Sequence, residues 1–271
     1  MSLVADSFVA LRNGRPADAE DLTPLAFAGY AHFTAMQARA GRVRGLDLHL
    51  RRLRAASMTM FGQALPDQRV LAQLRTALNH GPENVSLLAT VYSPTGEFTA
   101  SDPSAQLDLL IRTSPAASGP SGPLALSVVE YERYLPAIKH VGEVAKTHAM
   151  RQAALQGFDD AAFVDRHGRF SEASIWNLAF WDGRSVVWPQ AEMLGGTTMG
   201  IVRRQLQNLG VAQREQEIRA ADLADMAGAV VMNSWTPGVA VHRIGDSALP
   251  PAPEFLELLH RAYRAEPEVA P

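Results

Sequence analysis

The sequence predicts an α+β protein of two domains, and three observations support this prediction. The chain has 271 residues, 47% of them hydrophobic, which is enough for one large core or two modest ones. One composition break, rich in Ser, Gly and Pro, lies at residues 113–123. Strand patterns occur in groups with helical patterns between them on both sides of this break. We therefore expect a small N-terminal domain at 1–113, a linker at 114–123 and a larger C-terminal domain at 124–271.

The pattern before the linker predicts strands and two helices. Apolar spacing and turn residues give, in order, a strand at His32–Ala38, a turn at 40–42, a helix from about Leu48 to Phe61, a second helix after Pro66-Asp67, and strands at Val85–Tyr92 and Leu107–Arg112 joined across Pro94-Thr95-Gly96. Asp47 is the expected N-cap of the first helix, and Gly62 lies just beyond its end. These elements predict a small α/β sandwich.

The pattern after the linker predicts a closed or barrel-like sheet with helices around it. The expected elements are a strand at Leu124–Tyr131, a helix at Val141–Gln156, strands at Ala161–Val164, Phe170–Phe180 and Ser185–Trp188, a helix ending at Gly210, strands at Val230–Met232 and Val239–Val241, and a final helix carrying Phe255, Leu258, Leu259 and Ala262. Asp182-Gly183 predicts a tight turn between two of these strands. Grouped short strands of this kind favour a barrel.

Composition excludes several classes of function. The formal net charge of -3 gives no electrostatic reason to expect nucleic acid or an anionic membrane as a partner. Cysteine is absent, so we expect neither disulfides nor a thiolate metal site, which suits the cytoplasm. Residues 1–6 have no basic segment, and no stretch approaches the ~18 apolar residues of a membrane span. We expect a soluble, unprocessed, cytoplasmic protein without a bound metal.

Two residues suggest a cofactor site. Lys139 is one of two lysines in the chain, and Glu172 follows it 33 residues later in a strand-like segment. A lysine amine can form a Schiff base with an aldehyde cofactor, and a carboxylate beside a pyridine nitrogen keeps that nitrogen protonated. Taken singly, a lysine and a strand glutamate are most often exposed surface residues. Their combination favours the cofactor interpretation.

The stretch around these residues resembles a known enzyme family. Ile138-Lys139-His140 precedes a helical segment that ends at Gly157, and Gly168, Glu172 and Asn177 then fit the pattern G-x-x-x-E-x-x-x-x-N. This arrangement resembles the class IV aminotransferases, the fold-type IV pyridoxal 5'-phosphate (PLP) enzymes that include branched-chain and D-amino acid aminotransferases and aminodeoxychorismate lyase. The family's Asn three residues after the lysine is replaced by Gly142. The resemblance covers about Gly29 to Ile244.

The resemblance implies roles for residues on the cofactor ring. Lys139 matches the Schiff-base lysine, and Glu172 matches the glutamate that bonds the pyridine nitrogen. Asn177 matches an asparagine that we expect to orient loops of the site. The second lysine, Lys146, has the wrong spacing to Gly157 and Glu172, so we expect it to be an exposed helix residue.

The resemblance also implies a phosphate site. Arg52 lies in His49-Leu50-Arg51-Arg52-Leu53, which resembles the family's H-x-x-R-L, and a guanidinium suits a phosphate. Arg51 and Arg54 are the alternative candidates for this role. The segment 194–199 resembles the phosphate loop before a helix, with Thr198 at the family's Thr, Thr197 beside it and Met199 in place of an arginine. Ser234 lies where the family carries a second phosphate-binding hydroxyl.

The substrate side of the site has fewer matches. Thr34 lies in a segment that resembles the family strand facing the substrate, and Tyr92 and Trp235 are further candidates for substrate contact. The D-amino acid branch has an arginine for the substrate carboxylate in a first-domain strand, whereas residues 89–93 contain none. The resemblance therefore implies a cofactor without selecting one branch of substrates.

The resemblance implies a PLP-dependent aminotransferase that moves an amino group from an amino donor to a keto acceptor through Lys139. The second hypothesis is a lyase that resembles aminodeoxychorismate lyase and eliminates pyruvate, because Ile138-Lys139-His140 is similar to that branch. Two hypotheses from other classes are a PLP-binding protein without turnover and a ligand-binding protein without a cofactor. By resemblance we also expect a homodimer.

Overall fold

The structure, a computed structural model, describes residues 8–27, 29–95 and 106–271. The N-terminal segment interpreted above and Gly96 of the predicted turn lie outside these ranges. Within them, no helix is both long and apolar enough to cross a membrane.

The described residues form strands and helices in nearly every part of the chain. The strands are β1 (Ala10–Arg12), β2 (Arg15–Pro16), β3 (Ala31–Arg39), β4 (Arg42–Arg44), β5 (Val85–Tyr92), β6 (Asp108–Pro115), β7 (Leu124–Glu130), β8 (Asp160–Val164), β9 (Phe170–Ala173), β10 (Asn177–Trp181), β11 (Val186–Pro189), β12 (Gln213–Gln216), β13 (Gly228–Met232), β14 (Val239–Ile244), β15 (Ser247–Ala248) and β16 (Glu268–Val269). The helices are α1 (Ala19–Phe27), α2 (Leu46–Phe61), α3 (Asp67–Asn79), α4 (Val144–Leu155), α5 (Thr197–Asn208) and α6 (Pro253–Ala265), with a 3₁₀ turn at Ala220–Asp225.

The chain divides into two compact units. The first unit consists of Met1–Ala117, Ile138–Gly142 and Pro267–Pro271, and the second of Ser118–Ala137 and Glu143–Glu266. The short segment that carries Lys139 therefore belongs with the first unit, although it follows the predicted linker in sequence.

The first unit is built on a seven-stranded antiparallel sheet with the order β16-β4-β3-β5-β6-β1-β2. Helix α2 packs against β3, and α3 packs against β6. Alternate side chains of the strands meet the apolar faces of these helices, and Met36, Leu53, Leu74, Leu87 and Ile111 are buried there. The sheet thus fixes both a strand, β3, and a helix, α2, that carry predicted site residues.

Two details of the first unit differ from the sequence prediction. The predicted N-cap Asp47 is wrong: α2 begins at Leu46 after Gly45, whose φ of 63° is left-handed, and Asp47 lies in the first turn. Glycine is suited to this backbone conformation, whereas a side-chain cap is not used. Strand β6 continues to Pro115, so the first residues of the predicted linker are strand. Sequence reasoning also missed β1, β2, α1, β4 and β16, which are short or pair over long distances.

The second unit contains a closed six-stranded barrel. Its strands follow the order β10-β13-β14-β7-β8-β9, and β9 pairs back to β10 through Glu172 opposite Asn177. Phe170, Leu178, Phe180 and Val231 lie in one buried cluster of this unit. Strands β11 and β12 extend the sheet beyond β10. Helices α5 and α6 pack against the sheet in a second buried apolar cluster of this unit. The barrel-like sheet predicted from sequence is confirmed.

The second unit also corrects two predicted elements. The predicted strand at 170–180 is two strands, because residues 174–176 turn the chain so that β9 and β10 pair with each other. The helix predicted from Val141 begins at Val144. Its first residues are extended because the Val141 amide donates to the carbonyl oxygen of Ala31 at 2.9 Å, in the first unit.

Candidate active site

Lys139 lies on an extended segment attached to β3 in the first unit. The Phe33 amide donates to the Lys139 carbonyl oxygen at 2.8 Å, and His140 forms an isolated antiparallel bridge with His32. The side chain of Lys139 is half-buried, and its Nζ lies 4.8 Å from the centroid of the Phe33 ring. A cation over an aromatic face is a favourable contact. The main chain on both sides of Lys139 is therefore fixed to β3.

On helix α2, Arg52 lies apart from Arg51 and Arg54, the two other candidates for the phosphate-binding arginine. Arg51 and Arg54 are exposed and form ion pairs with Asp47 and Asp67, at 3.8 and 2.7 Å. Arg52 is half-buried on a different side of the helix. It lies close enough to His49 that its charge adds to burial in lowering the pKa of that histidine to about 3. Position on the helix therefore favours Arg52 over its neighbours.

The predicted substrate residues of the first unit are buried and already hydrogen-bonded. The hydroxyl of Thr34 lies 2.6 Å from Nδ1 of the buried His49. The Tyr92 side chain is buried, and its hydroxyl donates to the Asp21 carbonyl oxygen at 3.0 Å. Both hydroxyls hold the sheet to neighbouring helices. Their positions give no support to substrate contact.

Glu172 is buried in the second unit and paired with a residue that the sequence reasoning missed. Arg133 holds it through two bonds, from Nε to Oε1 at 2.8 Å and from Nη2 to Oε2 at 3.3 Å. Both side chains are almost fully buried, at 1% and 5% exposure. A buried carboxylate needs such a partner, because an unpaired charge in the interior is costly. This requirement could have predicted a partner such as Arg133 from the sequence, because a glutamate on a strand of the predicted barrel needs a nearby cation.

Lys146 corrects the sequence interpretation. It is buried rather than exposed, and its Nζ lies 2.6 Å from Oε2 of Glu143. The other carboxylate oxygen of Glu143 accepts from Nη1 of Arg133 at 2.5 Å. Burial lowers the pKa of Lys146, and the charge of Arg133 lowers it further. Burial alone would raise the pKa of Glu143, but the charges of Lys146 and Arg133 outweigh it and lower that pKa.

Asn177 connects Glu172 to the start of helix α5. It pairs with Glu172 across the two strands, and its Nδ2 donates to the Leu194 carbonyl oxygen at 2.7 Å. Gly196 packs so closely on Asn177 that a Cβ at this position would overlap Oδ1 of the asparagine. A single side chain thus fixes the loop that begins α5.

The first turn of α5 has unused polar groups. Gly196 is its N-cap and provides no side-chain hydrogen bond. Thr197 and Thr198 are buried, and Oγ1 of Thr197 has no hydrogen-bond partner in the described part of the chain. The first amides of a helix also lack intrahelical partners and favour an anion. This helix terminus has the donors that a phosphate needs.

Ser234 and Trp235 lie on the loop between β13 and β14. Ser234 is half-buried, and Trp235 is 40% exposed. The ring of Trp235 meets the buried Trp176 edge to face, with centroids 5.8 Å apart. Trp176 in turn donates from Nε1 to Oδ2 of Asp160 at 2.8 Å. Because Trp235 is exposed and its ring packs on the buried Trp176, it can contact a ligand.

The predicted site residues therefore form two sets, one in each unit. Those of the first unit are Thr34, Arg52, Tyr92 and Lys139, and those of the second are Glu172, Asn177, Thr197, Thr198, Ser234 and Trp235. The donor set of the second unit fits PLP, because it combines an ion-paired carboxylate for a ring nitrogen with a helix terminus and an unpartnered Thr197 hydroxyl for a phosphate.

The comparisons with known proteins agree with this chemistry. The family model described as amino-transferase class IV matches residues 31–244, which is well over half of the chain. A comparison with curated protein sequences gave no significant match.

Several solved structures are similar over almost their whole length. A branched-chain aminotransferase from the archaeon Thermoproteus uzoniensis, solved with norvaline, has a TM-score of 0.80 at 18% identity and covers 95% of this chain and 94% of its own. A hypothetical aminotransferase from Mycobacterium tuberculosis in a PLP-bound form has a TM-score of 0.75 at 19% identity, with 95% and 99% covered. A putative 4-amino-4-deoxychorismate lyase from Legionella pneumophila has a TM-score of 0.80 at 17% identity, with 93% and 96% covered. At these identities the similarity establishes the fold.

The fold and the donor set define a two-domain α+β enzyme of the fold-type IV class, as the sequence predicts. The chain belongs to the class IV aminotransferase family. The predicted enzyme class, a PLP-dependent transaminase, is confirmed at the level of this family.

Proposed function

We propose that this aminotransferase uses Lys139 as its covalent cofactor residue and the second unit's carboxylate and helix terminus as its cofactor cradle. The observation that carries the proposal is the link through Asn177. This side chain lies opposite the buried Glu172 and also holds the loop at Leu194 and Gly196 that begins α5. A group with a basic ring nitrogen and a phosphate needs these two features together.

The cofactor and the chain divide the chemistry between them. Bound PLP supplies an aldehyde that condenses with amines and a ring that accepts electrons from the substrate α-carbon. Glu172, ion-paired with Arg133, would accept the hydrogen bond of the protonated ring nitrogen. Thr197, Thr198 and the first amides of α5 bind the phosphate, with Arg52 and Ser234 as further donors. Asn177 orients the loop, and Trp235 offers an exposed face to the substrate.

Lys139 is the better of the two lysines for proton transfer at the α-carbon. That role needs an amine that can exchange between a covalent bond and a proton. Lys146 is held by Glu143 and enclosed by the second unit. Lys139 is half-buried, with its main chain fixed to β3 and its Nζ over the Phe33 ring. The main chain at Lys139 is thus fixed, and its spacing to Gly157 and Glu172 matches the family's lysine, whereas that of Lys146 does not.

The chain's lysine content makes a direct test possible. Only two lysines are present, so borohydride reduction of the PLP-loaded protein followed by peptide mass spectrometry assigns the bonded residue. We expect the label on the peptide containing Lys139, and we expect Lys139→Ala to lack both the label and the visible absorbance. A label on Lys146 in the wild-type protein would overturn the assignment. A wild-type protein that takes up no PLP would overturn the proposed function.

The same preparation distinguishes transamination from elimination. A transaminase converts an amino acid and a keto acid into the corresponding keto acid and amino acid, so it needs both substrates for turnover. Pyruvate formed from an amino donor alone, without a keto acceptor and without accumulation of pyridoxamine phosphate, would instead support the lyase. Binding of PLP with no reaction toward any amine would support a protein without turnover.

We also propose that the enzyme is a homodimer of the cytoplasm that takes small amino donors and keto acceptors. The family resemblance supports the dimer, and a chain without cysteine suits a reducing compartment. Sedimentation velocity at micromolar concentration should give twice the 29.3 kDa mass of one chain. A monomer that turns over at full rate would contradict the dimer.

A further inference from the structure

Four charged side chains, three buried and one half-buried, form one cluster in the second unit. Arg133, Glu143, Lys146 and Glu172, hereafter the charged tetrad, are joined by the contacts described above. Arg133 uses Nε and Nη2 for Glu172 and Nη1 for Glu143, while Lys146 binds the second oxygen of Glu143. Two cations thus face two carboxylates, and the formal charge of the tetrad is zero.

Lys146 occupies a position that is unfavourable for a lysine. It lies in the first turn of α4, where the helix dipole favours negative charge. It is also only 4% exposed, although lysines are almost never buried without a partner. Glu143, the N-cap of the same helix, makes no side-chain capping bond because its carboxylate is used by Arg133 and Lys146. Residues that contradict local helix preferences, as Lys146 and Glu143 do here, are concentrated at functional sites in proteins.

Glu143 and Lys146 together determine the orientation of the Arg133 guanidinium. Glu143 holds Nη1 and so fixes the plane of the guanidinium, which aligns Nε and Nη2 with Glu172. Without Lys146, both oxygens of Glu143 would compete with Glu172 for the same cation. Lys146 therefore limits the attraction of Glu143 for Arg133.

We propose that Glu143 and Lys146 are positioning residues that keep Arg133 on Glu172 and set the electrostatic potential at that carboxylate. This inference rests on the proposed function, in which Glu172 meets the ring nitrogen of PLP. Neither residue touches the cofactor in this proposal. Both act through Arg133.

Other charged or titratable groups lie around the tetrad. Asp160 on β8 lies close enough to Lys146 for the lysine to lower its pKa, although burial raises that pKa overall. Tyr131, after β7, has its pKa raised by burial, and the charges of Arg133, Glu143 and Glu172 act on it. These two groups are the same in all the variants below, so comparison between variants removes their contribution.

Two substitutions change the charge of the tetrad in opposite directions. Lys146→Met removes a positive charge at similar length, and Glu143→Gln removes a negative charge at the same size. The readout is the pH midpoint of the visible spectral change of the PLP-loaded protein. Loss of a nearby cation raises the pKa of each neighbouring group, and loss of a carboxylate lowers it. We expect shifts of about half a pH unit or more, upward in Lys146→Met and downward in Glu143→Gln.

The double variant and one distant variant serve as controls. Lys146→Met combined with Glu143→Gln restores a formal charge of zero, so its midpoint should return toward the wild-type value even if a single variant folds poorly. Arg169→Met removes a cation that pairs with Asp165 and Glu217 in the same unit, outside the tetrad. It should leave the midpoint unchanged.

A second measurement reports on geometry. The Kd for PLP should rise about tenfold in Lys146→Met, by analogy with the loss of the residues that orient metal ligands, and a crystal structure should show Arg133 turned toward Glu143. Single variants that shift the midpoint in the same direction, or not at all, would overturn this inference alone. A wild-type protein that acquires no PLP absorbance would overturn the proposed function as well.

Discussion

The interface of α2 with β3 in the first unit and the start of α4 in the second bury polar groups in different chemical forms. Beneath α2, His32 lies 2.8 Å from the Ser57 hydroxyl, and Thr34 lies 2.6 Å from His49. Burial lowers the pKa of His32 to about 4 and is the main cause of the low value at His49. Both imidazoles are therefore neutral at pH 7. The start of α4 instead buries the charged tetrad.

The difference shows what each region can do. Neutral hydrogen-bonded pairs hold a helix on a sheet and exert little field on their surroundings. Buried charges keep a strong field, because the interior screens them weakly. A barrel that places an ion-paired carboxylate beside a helix terminus can therefore act on a charged ligand. The first unit contributes a fixed main chain for Lys139 instead.

The largest expected effect comes from removing the cation at the centre of the tetrad. Arg133→Met leaves the buried Glu172 and the half-buried Glu143 with only Lys146 as a cation, and the loss of one member of a buried pair such as Arg133–Glu172 costs about 3 to 5 kcal/mol of unfolding free energy. The measurement is urea denaturation followed by tryptophan fluorescence. All four tryptophans lie in the second unit, so this signal reports on the unit that is changed.

The matched control is an exposed arginine of the same unit. Arg166 pairs with Glu132 at 2.5 Å, but the two side chains are 70% and 38% exposed. Arg166→Met should cost far less unfolding free energy than Arg133→Met, because solvent screens an exposed ion pair. Equal losses in the two variants would show that the tetrad is not stabilised differently from a surface ion pair.

How far the sequence predicted this arrangement depends on the range of the interaction. The strand that becomes β3 and the helix that becomes α2 follow from local periodicity, which is why their positions were predicted within a few residues. The closure of the barrel at β9 and β10 was expected only as a general shape, since residues 174–176 carry no strong turn signal. Lys146 was misread because its burial depends on Arg133 and Glu143, and no local pattern specifies that contact.

The next expected effect separates packing from charge in the second unit. A Cβ at Gly196 would overlap the amide of Asn177, whereas a Cβ at the adjacent Gly195 would have no atom within 4 Å from the described residues beyond its chain neighbours. Gly196→Ala should therefore displace Asn177 from the Leu194 carbonyl and cost about 1 to 3 kcal/mol. Gly195→Ala should cost far less and should bind PLP like the wild-type protein.

Denaturation and PLP titration of both alanine variants provide the measurement. Because neither substitution changes a charge, the pH midpoint of the loaded Gly196→Ala protein should remain near the wild-type value while its Kd rises. A weakened Gly195→Ala with a normal Gly196→Ala would contradict the role given to the contact between Gly196 and Asn177.

The smallest expected effect tests the neutral pairs of the first unit through pH. The pKa of His32 falls from 6.5 to about 4 on folding, so between these values the unfolded chain binds more protons than the folded one. Stability from this group is complete above pH 6.5 and is lost as the pH falls toward 4. Between pH 7 and pH 5 the loss is about 2 kcal/mol.

His32→Gln removes that proton uptake while keeping a group that can bond Ser57, so its loss of stability between pH 7 and pH 5 should be about 2 kcal/mol smaller than that of the wild type. Far-UV circular dichroism in urea is the appropriate signal, because the first unit has no tryptophan. His80→Gln, at an exposed histidine of the same unit, should lose as much as the wild type. If His32→Gln also did, the imidazole beneath α2 would be charged in the folded protein, and the contrast with the tetrad would fail.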